Sequence, residues 1–129
     1  MDAGHGSCRL AEPVAAAIIA NALAHFDGQR YRTLAWCVMP NHVQAALELL
    51  GDAKVGAVVA SWKSFTAKQI NALTGSSGRF WQPDYYDRAI RDEAHLAAVI
   101  AYIEGNPVKA GLVASADLWH ASSASATAT

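Results

Sequence analysis

The sequence predicts an α+β domain in which helices pack on an antiparallel sheet. Two observations lead to this fold class. The segments 31–39 and 42–50 have the residue types and the alternation of strands, and only a short Pro-Asn break separates them. Before and after this pair, apolar residues recur at helical spacing, so helices flank the two strands along the chain.

Length and composition are those of one folded globular domain. The chain has 129 residues, of which 53% are hydrophobic and 16% charged, unlike a disordered protein. Its apolar runs are too short to cross a bilayer and no signal peptide precedes them, so we expect a cytoplasmic protein without a membrane partner. Cys8 and Cys37 lack CxxC spacing, and we expect both thiols to be reduced and structural.

The first half of the chain is predicted to form a helix followed by two strands. The helix begins at Pro13, which is favourable in a first helical turn, and ends at the Asp-Gly turn before the first strand. The strand 31–39 carries apolar side chains on both faces and should be covered on both sides. In the strand 42–50 alternation places His42 and Gln44 side by side at its start.

The second half adds a long helix, an extended segment and a last helix. Apolar residues repeat at helical spacing over 53–74, and the loop sequence GSSG follows. Residues 79–91 are rich in aromatic side chains and are predicted to form a third strand. The last helix is predicted over 92–105 and should end before Pro107, with Gly111 beyond it in a left-handed conformation.

The predicted order is helix, strand, strand, helix, strand, helix. A ferredoxin-like sheet has another strand before the first helix, but the nine residues MDAGHGSCR are a poor strand. Its absence would leave backbone groups of the sheet unpaired. Either a partner supplies this strand or the start of the gene has been lost or misassigned, and we favour the second. Residues 1–120 are predicted to form a single domain, and the low-complexity residues 121–129 a disordered tail.

Two pairs of side chains are candidates for chemistry. Tyr102 and Asn106 are four residues apart on the last helix and share a face, away from its apolar stripe. His42 and Gln44 are either the polar edge of a half-exposed strand or two ligands of one metal ion. Without further context, the better interpretation of Tyr102 is a boundary residue with its ring on the core and its hydroxyl in water.

Three motifs in a fixed order resemble a known family. They are MPNHVQ at 39–44, FWQPDYYDRAIRDE at 80–93 and YIEGNPVKAGLV at 102–113. Together they resemble the REP-associated tyrosine transposases, which are relatives of the single-tyrosine insertion-sequence transposases in the HUH endonuclease superfamily. The resemblance extends from about residue 10 to residue 123 and implies a transposase-like domain. The copy looks degenerate and short at its N-terminus.

The resemblance implies a reaction and the residues that perform it. Tyr102 matches the nucleophile that attacks single-stranded hairpin DNA, such as a repetitive extragenic palindrome (REP), and forms a 5′-phosphotyrosine link. His42, Gln44 and Asn106 match the ligands of Mg²⁺ or Mn²⁺, with Gln44 where the family has its second histidine. A glutamine oxygen is an acceptable ligand for either ion. The alternatives are a catalytically inactive nucleic-acid-binding remnant and, more weakly, an oligomerisation module.

The resemblance also implies that the partner is single-stranded or hairpin DNA, bound by a monomer or a homodimer. The net charge of −1 is not typical of a DNA-binding protein, but residues 62–91 contain five basic and two acidic residues. Basic side chains there would bind phosphates and an aromatic one would stack on a base. The candidate DNA-binding residues are Lys63, Lys68, Tyr85, Arg88 and Arg91. In the same region Trp81 is interpreted as a core residue.

Overall fold

The computed structural model describes residues 13–75, 81 and 89–124 of the chain. Its elements are α1 (Pro13–His25), β1 (Tyr31–Val38), β2 (Val43–Leu49), α2 (Val55–Thr74) and α3 (Glu93–Lys109), followed by a short 3-10 turn at Ala116–Leu118. Most of the predicted third strand and the region before α1 lie outside the described residues. Among the described helices none is long and apolar enough to cross a membrane. The predicted α+β class is confirmed.

β1 and β2 form an antiparallel hairpin, as the alternation predicts. Cys37 lies opposite Gln44, so these two side chains point to the same face of the sheet. The Met39 N–H closes the turn by donating to the His42 carbonyl oxygen over 2.8 Å. The beginning of β2 is therefore held directly against the end of β1.

Helices cover both faces of the hairpin. On one face α1 and α2 pack in a core that contains Tyr31 and Trp62. On the other face α3 packs through Ile103 on Ala35 and Cys37. This arrangement confirms that β1 is covered on both sides. It also places α2 and α3 on opposite faces of the sheet.

Buried aromatic side chains on the α1 and α2 side are satisfied by hydrogen bonds. Trp62 Nε1 donates to Tyr31 Oη over 3.0 Å, and Tyr31 Oη donates to the Leu23 carbonyl oxygen over 2.9 Å. Trp81 Nε1 donates to Thr66 Oγ1 over 2.9 Å. Each ring is therefore buried without leaving its polar atom unpaired. The interpretation of Trp81 as a core residue is confirmed.

α3 is longer than the sequence predicts. It continues through Pro107 and ends at Lys109, after which Gly111 has φ +77°, the predicted left-handed conformation. A proline in the last turn removes a single intrahelical hydrogen bond, and the buried ring of Pro107 contributes packing in exchange. Tyr102 and Asn106 consequently belong to one uninterrupted helix.

Residues 121–124 lie against the outer edge of β1, although a disordered tail was predicted from residue 121. Ser122 forms an antiparallel bridge with Cys37, and the Val38 N–H donates to the Ala121 carbonyl oxygen over 2.8 Å. The prediction is therefore wrong for these four residues. Small side chains fit against a strand edge, and the backbone pairing that holds them is invisible in composition. Residues 125–129 lie outside the described part.

The outer edge of β1 forms hydrogen bonds with side chains and irregular backbone, not with a described strand. At one end the Asp27 carboxylate accepts from the Thr33 N–H over 2.5 Å. At the other end Trp119 Nε1 donates to the Val38 carbonyl oxygen over 2.9 Å. Side chains and irregular backbone thus satisfy backbone groups along this edge.

Candidate functional site

The residues around Ile103 point to three different sides of α3. Ile103 and Pro107 are buried against the sheet. Because successive residues of a helix are turned by about 100°, Glu104 lies on one flank of this buried line. Tyr102 and Asn106 lie together on the other flank. α3 therefore presents a carboxylate to one side and the predicted site residues to the other.

Asn106 reaches β2 directly. Its Nδ2 atom donates a hydrogen bond to Gln44 Oε1 over 2.5 Å, in a partly buried position. Gln44 is on the α3 face because it lies opposite Cys37, whose side chain packs in the core with α3. The fold thus brings two of the three predicted metal ligands into contact, although 62 positions separate them in the chain.

His42 lies immediately before β2 and is half-buried. Its Nδ1 atom is 2.7 Å from Asn41 Oδ1. With this oxygen as the acceptor, Nδ1 carries the proton and Nε2 carries the lone pair with which an imidazole binds a metal ion. Alternation back from Gln44 places His42 on the same face of the sheet as α3. The position of His42 is therefore compatible with its predicted role.

Tyr102 is on the surface of the protein. Its side chain is 54% exposed, so a phosphodiester in solution has access to it. The Lys109 ammonium lies 5.7 Å from the centre of the Tyr102 ring, within the range of a cation–π contact. A positive charge at this place would attract a phosphate group. Sequence reasoning did not single out Lys109, although it lies two turns after the tyrosine.

The predicted ligands fit a weak site for a divalent cation. An imidazole nitrogen and two amide oxygens are acceptable donors for Mn²⁺, and the oxygens are also acceptable for Mg²⁺. In the described ranges no group of three or more His, Cys, Asp and Glu side chains could hold a metal ion. The Gln44 oxygen already accepts from Asn106. If both amide oxygens are to bind one ion, the Gln44 oxygen must use its second lone pair or this hydrogen bond must break.

The lysines predicted to bind DNA are separated from Tyr102 by the sheet. Lys63 is half-buried and Lys68 is exposed, and both belong to α2. Because α2 and α3 cover opposite faces, a phosphate bound by Lys68 would belong to another part of the DNA than the one at Tyr102.

Arg91 is exposed and lies just before α3, on the same side of the sheet as Tyr102. Its backbone N–H donates to His95 Nδ1 over 3.0 Å, while the His95 N–H donates to the Asp92 carboxylate over 2.7 Å. These two bonds cap the N-terminus of α3. The remaining candidates, Tyr85 and Arg88, lie outside the described residues.

Cys37 lies under the site but is not part of its chemistry. It is a free cysteine and fully buried. Burial and, secondly, the nearby Glu104 carboxylate raise the pKa of the Cys37 thiol to about 11. The thiol is therefore protonated at neutral pH and a poor nucleophile. This confirms the structural role predicted for Cys37, while Cys8 lies outside the described residues.

Glu104 and Ser123 form a contact that sequence reasoning missed. Ser123 Oγ donates to Glu104 Oε2 over 2.5 Å and accepts from the Trp36 N–H over 3.0 Å. Glu104 lies between Tyr102 and Asn106 in the third motif, and this position is the sequence signal that could have pointed to Glu104. Nothing in a serine-rich terminus distinguishes Ser123 from its neighbours.

Comparisons with known proteins identify the family and the fold of the chain. The sequence model of the family described as "Transposase IS200 like" matches residues 12–106, which include all four predicted catalytic and metal-binding residues. A solved structure described as a REP-associated tyrosine transposase bound to a REP hairpin has a TM-score of 0.69 and 24% sequence identity, covering 93% of this chain and 70% of that chain. At this identity the likeness establishes a shared fold. No curated protein matches the chain.

Proposed function

Because the chain belongs to the family of IS200-like transposases, we propose that it nicks and rejoins single strands of DNA through Tyr102. The observation that carries this proposal is the position of an exposed tyrosine one helical turn from the Asn106–Gln44 contact. A nucleophile open to DNA thus lies next to side chains that are suitable for binding a metal ion.

The reaction proposed for Tyr102 is a transesterification. The phenolic oxygen bonds to the phosphorus of a phosphodiester, and the bond from phosphorus to the 3′ oxygen breaks. The phenolic proton is lost to water, and the released 3′ oxygen gains a proton to become a hydroxyl. The DNA is then held as a 5′-phosphotyrosine ester, whose energy is close to that of the broken bond. Attack by a 3′-hydroxyl reverses the step and joins strands.

A neutral phenol is a weak nucleophile, so the site has to favour the attack. His42, Gln44 and Asn106 are the residues that would hold Mg²⁺ or Mn²⁺. When bound, a divalent cation polarises the phosphoryl oxygen and neutralises charge that develops on it. Lys109 adds a positive charge beside the Tyr102 ring. Together these groups attract the phosphate and place it within reach of the hydroxyl.

The proposed substrate is hairpin DNA with single-stranded flanks. The similar solved structure is described as bound to a REP hairpin, and we extend that ligand class to this chain. Arg91 on the α3 side, about 16 Å from Tyr102 along the helix axis, would contact DNA a few nucleotides from the cleaved phosphate. Lys63 and Lys68 on α2 would contact a more distant part, such as the hairpin stem.

The test is covalent capture of labelled DNA. The protein is incubated with an end-labelled single-stranded hairpin and Mn²⁺ or Mg²⁺, and the product is analysed under denaturing conditions. We expect a labelled protein–DNA adduct that is lost in Tyr102→Phe. The control is hairpin binding by Tyr102→Phe, which should equal that of the wild type because the substitution is on an exposed side chain. A wild-type protein that binds the hairpin without forming an adduct would exclude the proposal.

A second candidate function is DNA binding without cleavage. The observation that favours it is the hydrogen bond between Asn106 and Gln44, which stands where the family has a histidine. A Gln44 side chain that is bonded to Asn106 is a weaker metal ligand than a histidine at this position. Gln44→His separates the two functions. An adduct that forms only in this variant would identify the natural chain as a binding protein, and an adduct in the wild type would exclude this reading.

A further inference from the structure

Ser123 connects the strand and the helix that form the candidate site. Its hydroxyl accepts from the Trp36 N–H on β1 over 3.0 Å and donates to the Glu104 carboxylate on α3 over 2.5 Å. The Trp36 carbonyl oxygen is also near, at 3.2 Å. A hydroxyl has one proton, however, and a carboxylate is the stronger acceptor. We call the chain of two hydrogen bonds from the Trp36 N–H through the Ser123 hydroxyl to the Glu104 carboxylate the Ser123 bridge.

The Ser123 bridge is anchored close to the proposed metal ligands. Trp36 precedes Cys37, the residue that lies opposite Gln44 in the sheet. On α3, Glu104 is two residues after Tyr102 and two before Asn106. The bridge therefore joins α3 to the sheet one residue from the β1 position opposite Gln44 and two residues from Asn106.

The two contacts hold opposite flanks of α3. Asn106 bonds to β2 on one side of the buried Ile103, and Glu104 is linked through Ser123 to the outer edge of β1 on the other. The buried Ile103 and Pro107 fix the side of α3 that faces the sheet, and the two polar contacts on opposite flanks further oppose rotation in both directions. The direction of the Tyr102 side chain depends on this rotation.

The position of Ser123 is set by its neighbours and not by its own hydroxyl. The Ala121 carbonyl oxygen accepts from the Val38 N–H, and Ser122 pairs with Cys37. Ser123 is itself buried, so water competes poorly for its hydrogen bonds. A change of the Ser123 hydroxyl should therefore break the bridge while the segment stays on β1.

We propose that Ser123 is a positioning residue for Tyr102. Through Glu104 it holds α3 in the rotation that keeps Tyr102 beside the Gln44–Asn106 contact. The effect on reaction rate rests on the proposed function, whereas the effect on the helix does not. Ser123 lies beyond residues 12–106, so this role is outside the part of the chain that the family match covers.

The structural test measures the position and the hydrogen exchange of α3 in the full-length protein. Ser123→Ala should shift the side-chain amide NMR signals of Gln44 and Asn106 and speed hydrogen exchange in the second half of α3. Ser123→Thr, which keeps the hydroxyl, should restore both. The matched control is Ser115→Ala, because Ser115 Oγ also donates to a carboxylate, that of Asp117, over 2.6 Å but away from the site. Unchanged amide signals in Ser123→Ala would overturn the proposal.

The kinetic test compares adduct formation at saturating hairpin with hairpin affinity. Ser123→Ala should lower the rate roughly tenfold with little change in Kd, and Ser123→Thr should recover it. Glu104→Ala should lower the rate of adduct formation by a similar factor. The double variant should lower it no further than either single variant, because both substitutions remove the same bridge. Additive losses would contradict the bridge. If the wild type forms no adduct, the proposed function fails and the NMR result alone decides this inference.

Discussion

Asn106 on α3 and Gln44 on β2 are joined by a hydrogen bond of 2.5 Å between their side-chain amides. The pair holds α3 against the sheet without using a charge. Each amide also has an oxygen that can bind a hard cation as a ligand. The same two side chains can therefore stabilise the fold and, when their hydrogen bond opens, contribute to the proposed metal site.

Gln44→His should strengthen metal binding. The imidazole is a better ligand than a neutral amide for Mn²⁺, and the metal no longer competes with the Asn106 amide for the Gln44 oxygen. We expect the Mn²⁺ concentration for half-maximal adduct formation to fall by about tenfold or more. Calorimetric titration with Mn²⁺ checks the same change without DNA. Gln44→Ala is the control and should weaken binding, whereas an identical Mn²⁺ dependence in wild type and Gln44→His would remove Gln44 from the site.

Lys68→Ala should weaken hairpin binding but leave the cleavage step unchanged. Lys68 is on α2, across the sheet from Tyr102, so its phosphate contact would be remote from the reacting atoms. We expect the slope of log Kd against log salt to decrease by about one, and the rate of adduct formation at saturating DNA to stay the same. Gln69→Ala changes an exposed neutral neighbour and should do neither. A salt slope equal to that of the wild type would show that Lys68 does not contact phosphate.

Tyr31→Phe should destabilise the protein by about 1–3 kcal/mol. The lost hydroxyl is buried, donates to the Leu23 carbonyl and accepts from Trp62 Nε1, so both partners lose a hydrogen bond in the core. Urea unfolding followed by tryptophan fluorescence measures the change in the free energy of unfolding. A loss below about 0.5 kcal/mol would mean that these partners find other hydrogen bonds.

Alkaline pH should destabilise the protein through Cys37. Burial raises the pKa of this thiol from 9.0 to about 11, so above pH 9 the unfolded chain loses a proton that the folded chain retains. Stability is then complete below pH 9 and decreases up to about pH 11. The thiol contributes about 2–3 kcal/mol to this decrease, at about 1.4 kcal/mol for each unit. Urea unfolding at several pH values should show the decrease in the wild type and a smaller one in Cys37→Ala. Equal decreases would refute the assignment to Cys37.

Local patterns were sufficient for much of the fold and part of the site. Alternation in β2 and the four-residue spacing on α3 predicted which side chains share a face, because these periods are properties of a single element. They predicted that Gln44 and Asn106 could meet. The end of α3 was not predictable in the same way, because the effect of Pro107 depends on the burial of its ring.

Sequence patterns were enough to predict the hairpin, the helices around it and the faces on which His42, Gln44, Tyr102 and Asn106 lie. The folded structure was needed to show that α2 covers the face opposite to α3, which separates Lys68 from Tyr102. It also decided that residues 121–124 pair with β1 and that Ser123 reaches Glu104. Periodicity reports the direction of side chains within one element, whereas packing and backbone pairing join residues that are distant in the chain. The contacts proposed to position Tyr102 depend on packing and backbone pairing, so periodicity does not predict them.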